Sequence, residues 1–260
     1  MKVAMMQPAF LPWQGFFELI YSADCFIFLN DFQFSVQSYH QRNRLFTSSG
    51  KVGWYTVPVV KAASFGVSLN CALVDDSASW RKKMLKRLQH NYSRTPFFSA
   101  IFPVMEACLN AQAVSLADLN MVFIRSVLDL FGWKRELRFS SDLQSEAKRS
   151  SRVIELLHWC SATQYYSARG SFGYMCEDGL FPRADLEILF QDFVPAPHSQ
   201  LGALGEFVPF LSVLDALFNI GPVETAKIAS CGTSRWLKWN DMMMVHVCRK
   251  GEGDTVEASI

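Results

Sequence analysis

Apolar residues form short uninterrupted runs near the start of the chain. Val3 to Met6 and Cys25 to Leu29 are runs of strand length, and Phe16 to Tyr21 between them is helical in pattern. Runs that are apolar at every position indicate strands buried on both faces, which is typical of a parallel sheet covered by helices. The pattern therefore predicts a β-α-β unit. A further strand is predicted from Trp54 to Val60, at an edge or an end of a sheet because it contains a proline.

The middle of the chain repeats its apolar positions with the 3.6-residue period of a helix. Apolar stripes run from Trp80 to Tyr92 and from Leu116 to Phe131, and Gly132 supplies a stop. Farther on, the pattern predicts a helix from Val153 to Cys160, strands at Tyr165 to Ser167 and Leu186 to Phe190, and a buried helix from about Pro209 that ends before Gly221. This order predicts an α/β fold with a three-layer, mostly parallel sheet and a helical insertion or subdomain.

The domain organisation follows from length and pattern. A chain of 260 residues allows one large domain or two modest ones. We predict a single α/β domain over residues 1–232, with the helical block at about 77–132, and a C-terminal tail over 233–260. The first part of the tail carries Trp236 and Trp239 and is expected to dock on the core, while the last ten residues are expected to fray.

Composition and charge exclude several classes of protein. Half of the residues are hydrophobic, which excludes intrinsic disorder for most of the chain. The net charge is only +1, so no global field attracts nucleic acid. The sequence carries neither a secretory leader pattern nor an apolar run long enough to span a membrane, so we expect a cytoplasmic protein. Its 7 cysteines are far apart and fit reduced thiols, and no metal-ligand spacing is evident.

A dense polar run follows the second predicted strand. Ligands of open parallel sheets bind beyond the carboxyl ends of strands, so we interpret this run as a loop that carries a binding site. Asp31 or His40 is expected to handle a proton, and Arg42 and Arg44 to clamp a phosphate or carboxylate. Gln33 and Asn43 are expected to bind substrate hydroxyls or an amine, with Gln7 and Pro8 at the same edge. The alternative is a solvated loop with a surface ion pair.

Polar residues at three further places in the chain are candidates for a binding or structural role. Ser151 and Arg152 precede an apolar helix, where they would bind a phosphate at the helix N-terminus or serve as a cap and a solvated cation. His198 lies in a loop, either as a general base or simply in solvent. Asp215 and Asn219 lie one helical turn apart in an apolar helix and need partners if they are buried.

Several of these motifs occur together in an order that resembles the WbqC-like family. They are Met6-Gln7-Pro8-x-Phe10-Leu11-Pro12-x-x-Gly15, Asp31-x-Gln33-Phe34, Arg42-Asn43-Arg44, Ser140-Ser141-Asp142-Leu143 and Phe207-x-Pro209-x-Leu211-Ser212-x-Leu214-Asp215-x-Leu217-Phe218-Asn219-x-Gly221. The resemblance covers roughly residues 3 to 221 and implies an association with bacterial O-antigen and other surface-polysaccharide loci. It adds Asp215 and Asn219 to the expected substrate-binding positions. The sequence departs from the family pattern at Tyr39, His40 and His198.

A fainter similarity is to nucleotidyltransferases of the HIGH type, which carry His-x-Gly-His after their first strand. The corresponding residues are Trp13-Gln14-Gly15-Phe16, without either histidine. The similarity implies a related α/β scaffold. Adenylyl transfer by the HIGH mechanism is not expected, because the imidazoles that would stabilise phosphate charge are missing.

From these observations we predict a transferase that acts on a nucleotide-linked sugar, an amino sugar, in surface-polysaccharide biosynthesis. No cofactor is evident, and Mg²⁺ is expected only through substrate phosphates, with Asp31 beside it. We expect no nucleic-acid partner, and the sequence leaves homo-oligomerisation open. Two alternatives stay open: a non-catalytic scaffold of a glycan-assembly complex that binds through the segment Trp236 to Met244, and an acyl or aminoacyl transferase.

Overall fold

The computed structural model describes residues 1–47, 49–60, 66–201 and 205–251. The strands are β1 (Lys2–Met6), β2 (Cys25–Phe28), β3 (Arg42–Phe46), β4 (Val52–Thr56), β5 (Glu136–Phe139), β6 (Gln164–Ala168), β7 (Glu187–Gln191) and β8 (Leu237–Lys238). Six of them form one sheet in the order β5-β2-β1-β6-β7-β8, and β3 pairs with β4 in a separate antiparallel ribbon. Within the main sheet, β8 alone runs antiparallel to its neighbour.

Helices connect most of these strands, and three of them follow one another between β4 and β5. The helices are α1 (Gln14–Ser22), α2 (Trp80–Tyr92), α3 (Phe98–Asn110), α4 (Leu116–Phe131), α5 (Arg149–Trp159), α6 (Phe172–Asp178), α7 (Val213–Ser230) and α8 (Trp239–Gly251). Sequence explains several of their ends: the Ser115 hydroxyl accepts a hydrogen bond from the Asp118 amide at the start of α4, and Gly132 ends that helix in the left-handed conformation. No helix among the described residues is both long and apolar enough to cross a bilayer.

The sheet separates two apolar cores. Successive residues of a strand point to opposite faces, so Val3 and Met5 of β1 pack with α5 and α6, whereas Ala4 packs with α1, α7 and the helices of residues 80–131. The same alternation holds in β2, where Cys25 and Ile27 face the first core. Both faces of the central strands are therefore buried under helices. This confirms the predicted α/β fold with a mostly parallel sheet.

The order of the strands creates a switch point between β1 and β6. From β1 the chain builds the sheet outward through β2 and β5, then crosses to the other side of β1 and continues through β6 and β7. Helix α1 therefore covers one face of the sheet and α5 the other. In open α/β sheets, a crevice forms at such a point beyond the carboxyl ends of the strands, and ligands bind there.

Three local predictions were wrong. Arg42–Phe46 is strand β3 rather than loop, because Asn43, Leu45 and Phe46 are buried against the core while Arg42 and Arg44 lie on the more open face. Strand β4 is Val52–Thr56, four residues before the predicted end at Val60. Helix α7 starts at Val213, after the positive φ of Phe210, and resumes beyond a kink at Gly221 rather than ending there.

The segment after residue 232 packs on the sheet. Trp236 meets the ring of Tyr166 edge-on, and Trp239 lies against Phe172 and Phe190. Strand β8 extends the sheet beside β7. The expected docking of these tryptophans is therefore seen, whereas residues 252–260 of the predicted frayed end lie outside the described residues.

Candidate functional site at the carboxyl edge of the sheet

The register of the sheet brings the ends of the parallel strands to one level. Met6 pairs with Phe28, Phe28 with Phe139, and Ala168 with Gln191. The pairing of β1 with β6 ends at Ala4 and Tyr166, and Gln7 and Arg169 each lie three residues beyond that pair. Polar residues leave each strand just beyond this level: Gln7 after β1, Asn30 and Asp31 after β2, Ser140 after β5, Arg169 after β6 and Asp192 after β7.

One group of these residues, which we call the edge cluster, joins β2, β5 and α5. It consists of Asn30, Asp31, Ser140, Ser141 and Arg152. The Asn30 amide donates to the Ser141 hydroxyl over 3.0 Å, and the Ser140 hydroxyl donates to an oxygen of Asp31. The other Asp31 oxygen lies 3.1 Å from Nη2 of Arg152. Two residues that lie 109 and 121 positions from Asp31 in sequence thus converge on its carboxylate.

Arg152 holds the Asp31 carboxylate in place through an ion pair. Its side chain is only 5% exposed, and Nη2 also donates to the carbonyls of Ser140 (2.7 Å) and Leu143 (2.6 Å). Nη1 lies 3.5 Å from Glu155. The Asp31 side chain is 29% exposed, so the carboxylate reaches solvent while the guanidinium does not. Arg152 therefore positions Asp31, and its predicted contact with a phosphate, like that of the exposed Ser151 beside it, stays a prediction.

The switch point itself is bordered by Gln7 and Arg169. Arg169 Nη1 lies 2.5 Å from an Asp192 oxygen, so an ion pair bridges the ends of β6 and β7. Beneath it, Gln191 donates to the Gly15 carbonyl and to Glu18 of α1, both over 2.8 Å. These bonds fix the start of α1 against β7. The sequence interpretation missed Arg169 and Asp192, although each lies two residues after the end of a predicted strand.

The loop between β1 and α1 is held by side-chain amides. Asn43 donates to the carbonyls of Phe10 (3.2 Å) and Leu11 (2.8 Å), and Asn120 donates to the Pro8 carbonyl over 3.0 Å. Leu11 has a φ of 45°, a backbone conformation that such bonds help to maintain. Asn43 and Pro8, both expected to bind substrate, are buried here. In these buried positions they shape the loop between β1 and α1.

The remaining residues of the polar run lie on and before the β3–β4 ribbon. The Arg42 guanidinium stacks 4.2 Å from the ring centre of Trp54, and Arg44 Nη2 donates to the Phe210 carbonyl over 3.3 Å. Gln33 is exposed. Burial lowers the pKa of His40 to about 4, so its imidazole is neutral at pH 7. Among the described residues, no hydrogen bond or ion pair connects these four side chains with the edge cluster.

A second polar group surrounds Asp215, and we call it the Asp215 network. Tyr92 donates to one carboxylate oxygen over 2.9 Å, while Gln200 Nε2 (2.8 Å) and His198 Nε2 (3.4 Å) approach the other. Asn219 donates to the Asp215 carbonyl over 2.9 Å and accepts from the Leu201 amide over 2.8 Å. Asp215 is fully buried and the His198 side chain is 5% exposed. This network ties α2, α7 and the segment after β7 together, so neither Asp215 nor His198 faces open solvent.

A cleft of about 590 Å³ lies at the opposite edge of the sheet. It is lined by Lys2, Tyr21, Ser22, Ala23, Asp24, Lys134, Arg135 and Glu136, at the amino ends of β1, β2 and β5. Its charges are mixed in sign, and Arg135 is already bound to the Tyr21 carbonyl. In the described part of the chain, no three His, Cys, Asp or Glu side chains are grouped to hold a metal ion. Topology therefore favours the carboxyl edge over this cleft as the functional site.

Comparison with known proteins agrees with the family resemblance of the sequence motifs. Residues 7–227 match the model of the WbqC-like protein family. The uncharacterized protein Rv1507c of Mycobacterium tuberculosis is 30% identical over 222 residues, which cover 85% of this chain and 94% of that protein. No solved structure matches the chain. The family model spans both the edge cluster and the Asp215 network, and the chain therefore belongs to the WbqC-like protein family.

Proposed function

We propose that this protein is a transferase that binds a nucleotide-linked amino sugar at the switch point between β1 and β6 and acts in bacterial surface-polysaccharide biosynthesis. The observation that carries the proposal is the placement of Gln7, Asp31 and Arg169 along one carboxyl edge of a doubly wound sheet. Membership of the WbqC-like family supports the biological setting.

Each group at this edge has a chemical task in the proposal. Asp31 is partly exposed and held by Arg152, so its carboxylate is oriented to accept a proton from an attacking hydroxyl or amine. Gln7 borders the sugar. Arg42 and Arg44 hold the phosphates, since β3 is fixed directly to the β1–α1 loop through Asn43. Mg²⁺ would bind mainly through the ligand phosphates, and Asp31 is the acidic side chain that would join it.

The experiment is a thermal-shift measurement of the purified protein with sugar nucleotides, free nucleotides, acyl carriers and amino acids, with and without Mg²⁺. A ligand at about 100 times its Kd adds about 2.7 kcal/mol to the free energy of unfolding. We expect one class of nucleotide sugar to raise the Tm selectively. Titrations then compare Asp31→Asn and Arg42→Ala with Lys134→Ala, a control at the opposite edge of the sheet.

Asp31→Asn and Arg42→Ala are each expected to weaken binding at least about tenfold, or about 1.4 kcal/mol. The Lys134→Ala control should bind like the wild type. A shift caused only by an acyl carrier or an amino acid would replace the nucleotide-sugar proposal with acyl or aminoacyl transfer. No change in Tm with any ligand, or full affinity in both Asp31→Asn and Arg42→Ala, would contradict a ligand site at the carboxyl edge and favour the scaffold alternative.

A further inference from the structure

Two buried cysteines meet on the face of the sheet covered by α5. Cys25 is the first residue of β2, and Cys160 directly follows the last residue of α5. Their sulfur atoms lie 3.9 Å apart, although 135 positions separate them in sequence. Cys25 is 0% exposed and Cys160 is 2% exposed. The main chain thus holds two thiols about 2 Å farther apart than the roughly 2.05 Å of a disulfide bond.

A cation lies beside one of these sulfurs. Arg138 Nη1 is 3.7 Å from Cys160 Sγ, and the guanidinium stacks 4.7 Å from the ring centre of Trp159. The hydrogen bond shared with Cys25 and the nearby Arg138 charge lower the pKa of the Cys160 thiol, whereas the same hydrogen bond and burial raise the pKa of Cys25. One thiol is therefore poised to ionise while its neighbour keeps its proton.

We propose that Cys25 and Cys160 form a redox-active pair that a peroxide converts to a disulfide. Cys160, as the thiolate, attacks one peroxide oxygen, the O–O bond breaks, and the products are a Cys160 sulfenic acid and hydroxide, which takes up the proton lost from the thiol. The Cys25 sulfur then attacks the Cys160 sulfur, and the sulfenic oxygen leaves as water with the Cys25 proton. Two thiols are oxidised, and one hydrogen peroxide is reduced to two molecules of water.

The position of the pair gives this disulfide a structural consequence. Strand β2 and helix α5 are already connected at their other ends by the ion pair of Asp31 and Arg152, at 3.1 Å. A bond from Cys25 to Cys160 would fix the second end. Oxidation is therefore expected to hold α5 on the sheet and to raise the Tm, because the cross-link restricts a long segment of the unfolded chain. The proposal does not depend on the identity of the substrate.

In the test, the folded wild-type protein is treated with hydrogen peroxide and then unfolded in urea in the presence of an alkylating reagent. Its peptides are mapped by mass spectrometry without reduction. We expect a cross-linked peptide containing Cys25 and Cys160, and two fewer alkylated thiols. Arg138→Gln is expected to slow the reaction several-fold, because the thiolate loses its neighbouring cation. Cys71→Ala, at an exposed cysteine, is the matched control and should form the same cross-link.

The single variants separate the two steps. In Cys25→Ala, the sulfenic acid of Cys160 has no resolving thiol and should be captured by dimedone, whereas Cys160→Ala should give neither product. If either variant fails to fold, the wild-type peptide map still decides. Alkylation of both Cys25 and Cys160 after peroxide treatment, a different pairing, or a cross-link that forms only in urea would overturn the proposal.

Discussion

The edge cluster and the Asp215 network each place one aspartate among hydroxyl and amide side chains, but they differ in access to solvent. Asp215 is 0% exposed, and each of its side-chain oxygens has a partner within the protein. The Asp31 side chain is 29% exposed, and its carboxylate reaches solvent although it is bound to Ser140 and Arg152. Similar residue types in two motifs of the family therefore serve different ends: the buried carboxylate connects segments of the fold, while the open one is available to a ligand.

The comparison is tested most strongly by replacing Asp215 with asparagine. The asparagine NH₂ would replace one carboxylate oxygen and would face either Tyr92 or Gln200, which donate to the carboxylate in the wild type, so two buried donors would oppose each other. We expect Asp215→Asn to lower the free energy of unfolding by about 3 kcal/mol. Urea denaturation measures this loss. A loss below about 1 kcal/mol would contradict a structural role for the network.

Acid pH provides the next largest expected effect, at His40. Its pKa is about 4 in the folded protein, against an ordinary 6.5. Below pH 6.5 the unfolded chain binds a proton that the folded protein does not, so stability is lost as the pH falls from 6.5 towards 4. The loss should reach about 2 to 3 kcal/mol. Urea denaturation at several pH values should show this slope in wild type and in His90→Gln, an exposed control, but a flatter slope in His40→Gln. Equal slopes in all three proteins would refute the assignment to His40.

A smaller loss is expected from Gly221→Ala in the helix that carries Asp215. Gly221 has a φ of 77°, and an added Cβ would lie 2.4 Å from the Phe97 ring. Gly132 has a similar φ of 67° but open space around it, so Gly132→Ala measures the backbone cost alone. We expect a loss of about 1 kcal/mol for Gly132→Ala and of about 2 kcal/mol for Gly221→Ala. Equal losses, measured by thermal unfolding, would show that the Phe97 ring moves aside.

The smallest change in stability is expected for Asp31→Asn. The asparagine oxygen still accepts from Arg152, and Glu155 remains near the same guanidinium. We expect a loss of about 1 kcal/mol, well below that of the same substitution at Asp215. Urea denaturation of the two variants side by side checks the order. A larger loss at Asp31 than at Asp215 would invert the comparison and make the edge cluster the structural one.

The central part of the fold could be predicted from the sequence because its signals are local. The apolar runs of β1 and β2 and the helical stripes of α2 and α4 are confirmed. Other elements lack such signals. Strand β5 (Glu136–Phe139) alternates charged and apolar residues at the end of the sheet and is not predicted. Helix α3 contains Pro103 and lies within the predicted helical block at about 77–132, but it is not predicted as a separate helix. Strand β3 is predicted as a loop because its polar side chains outnumber its apolar ones.

The candidate site was predictable in its residue types but not in its contacts. Asp31 and Gln7 were found because polar residues follow buried strands. The partnership of Asp31 with Arg152 joins positions 121 apart, and that of Cys25 with Cys160 joins positions 135 apart. Neither a hydrophobic periodicity nor a short motif indicates which distant residues meet, since these contacts depend on how α5 crosses the sheet. For the same reason, the loop position of His198 gave no sign of its pairing with Asp215.

The central position of β1 also has a consequence for synthesis of the chain. β1 leaves the ribosome before the other strands of the described sheet, yet one of its two neighbours, β6, ends at residue 168. At about 5 to 20 residues per second, roughly ten to thirty seconds pass before that neighbour appears. Throughout this interval one edge of an apolar strand has no partner within the nascent chain. The architecture that places Gln7 beside the switch point thus leaves one edge of β1 open to other contacts until β6 is made.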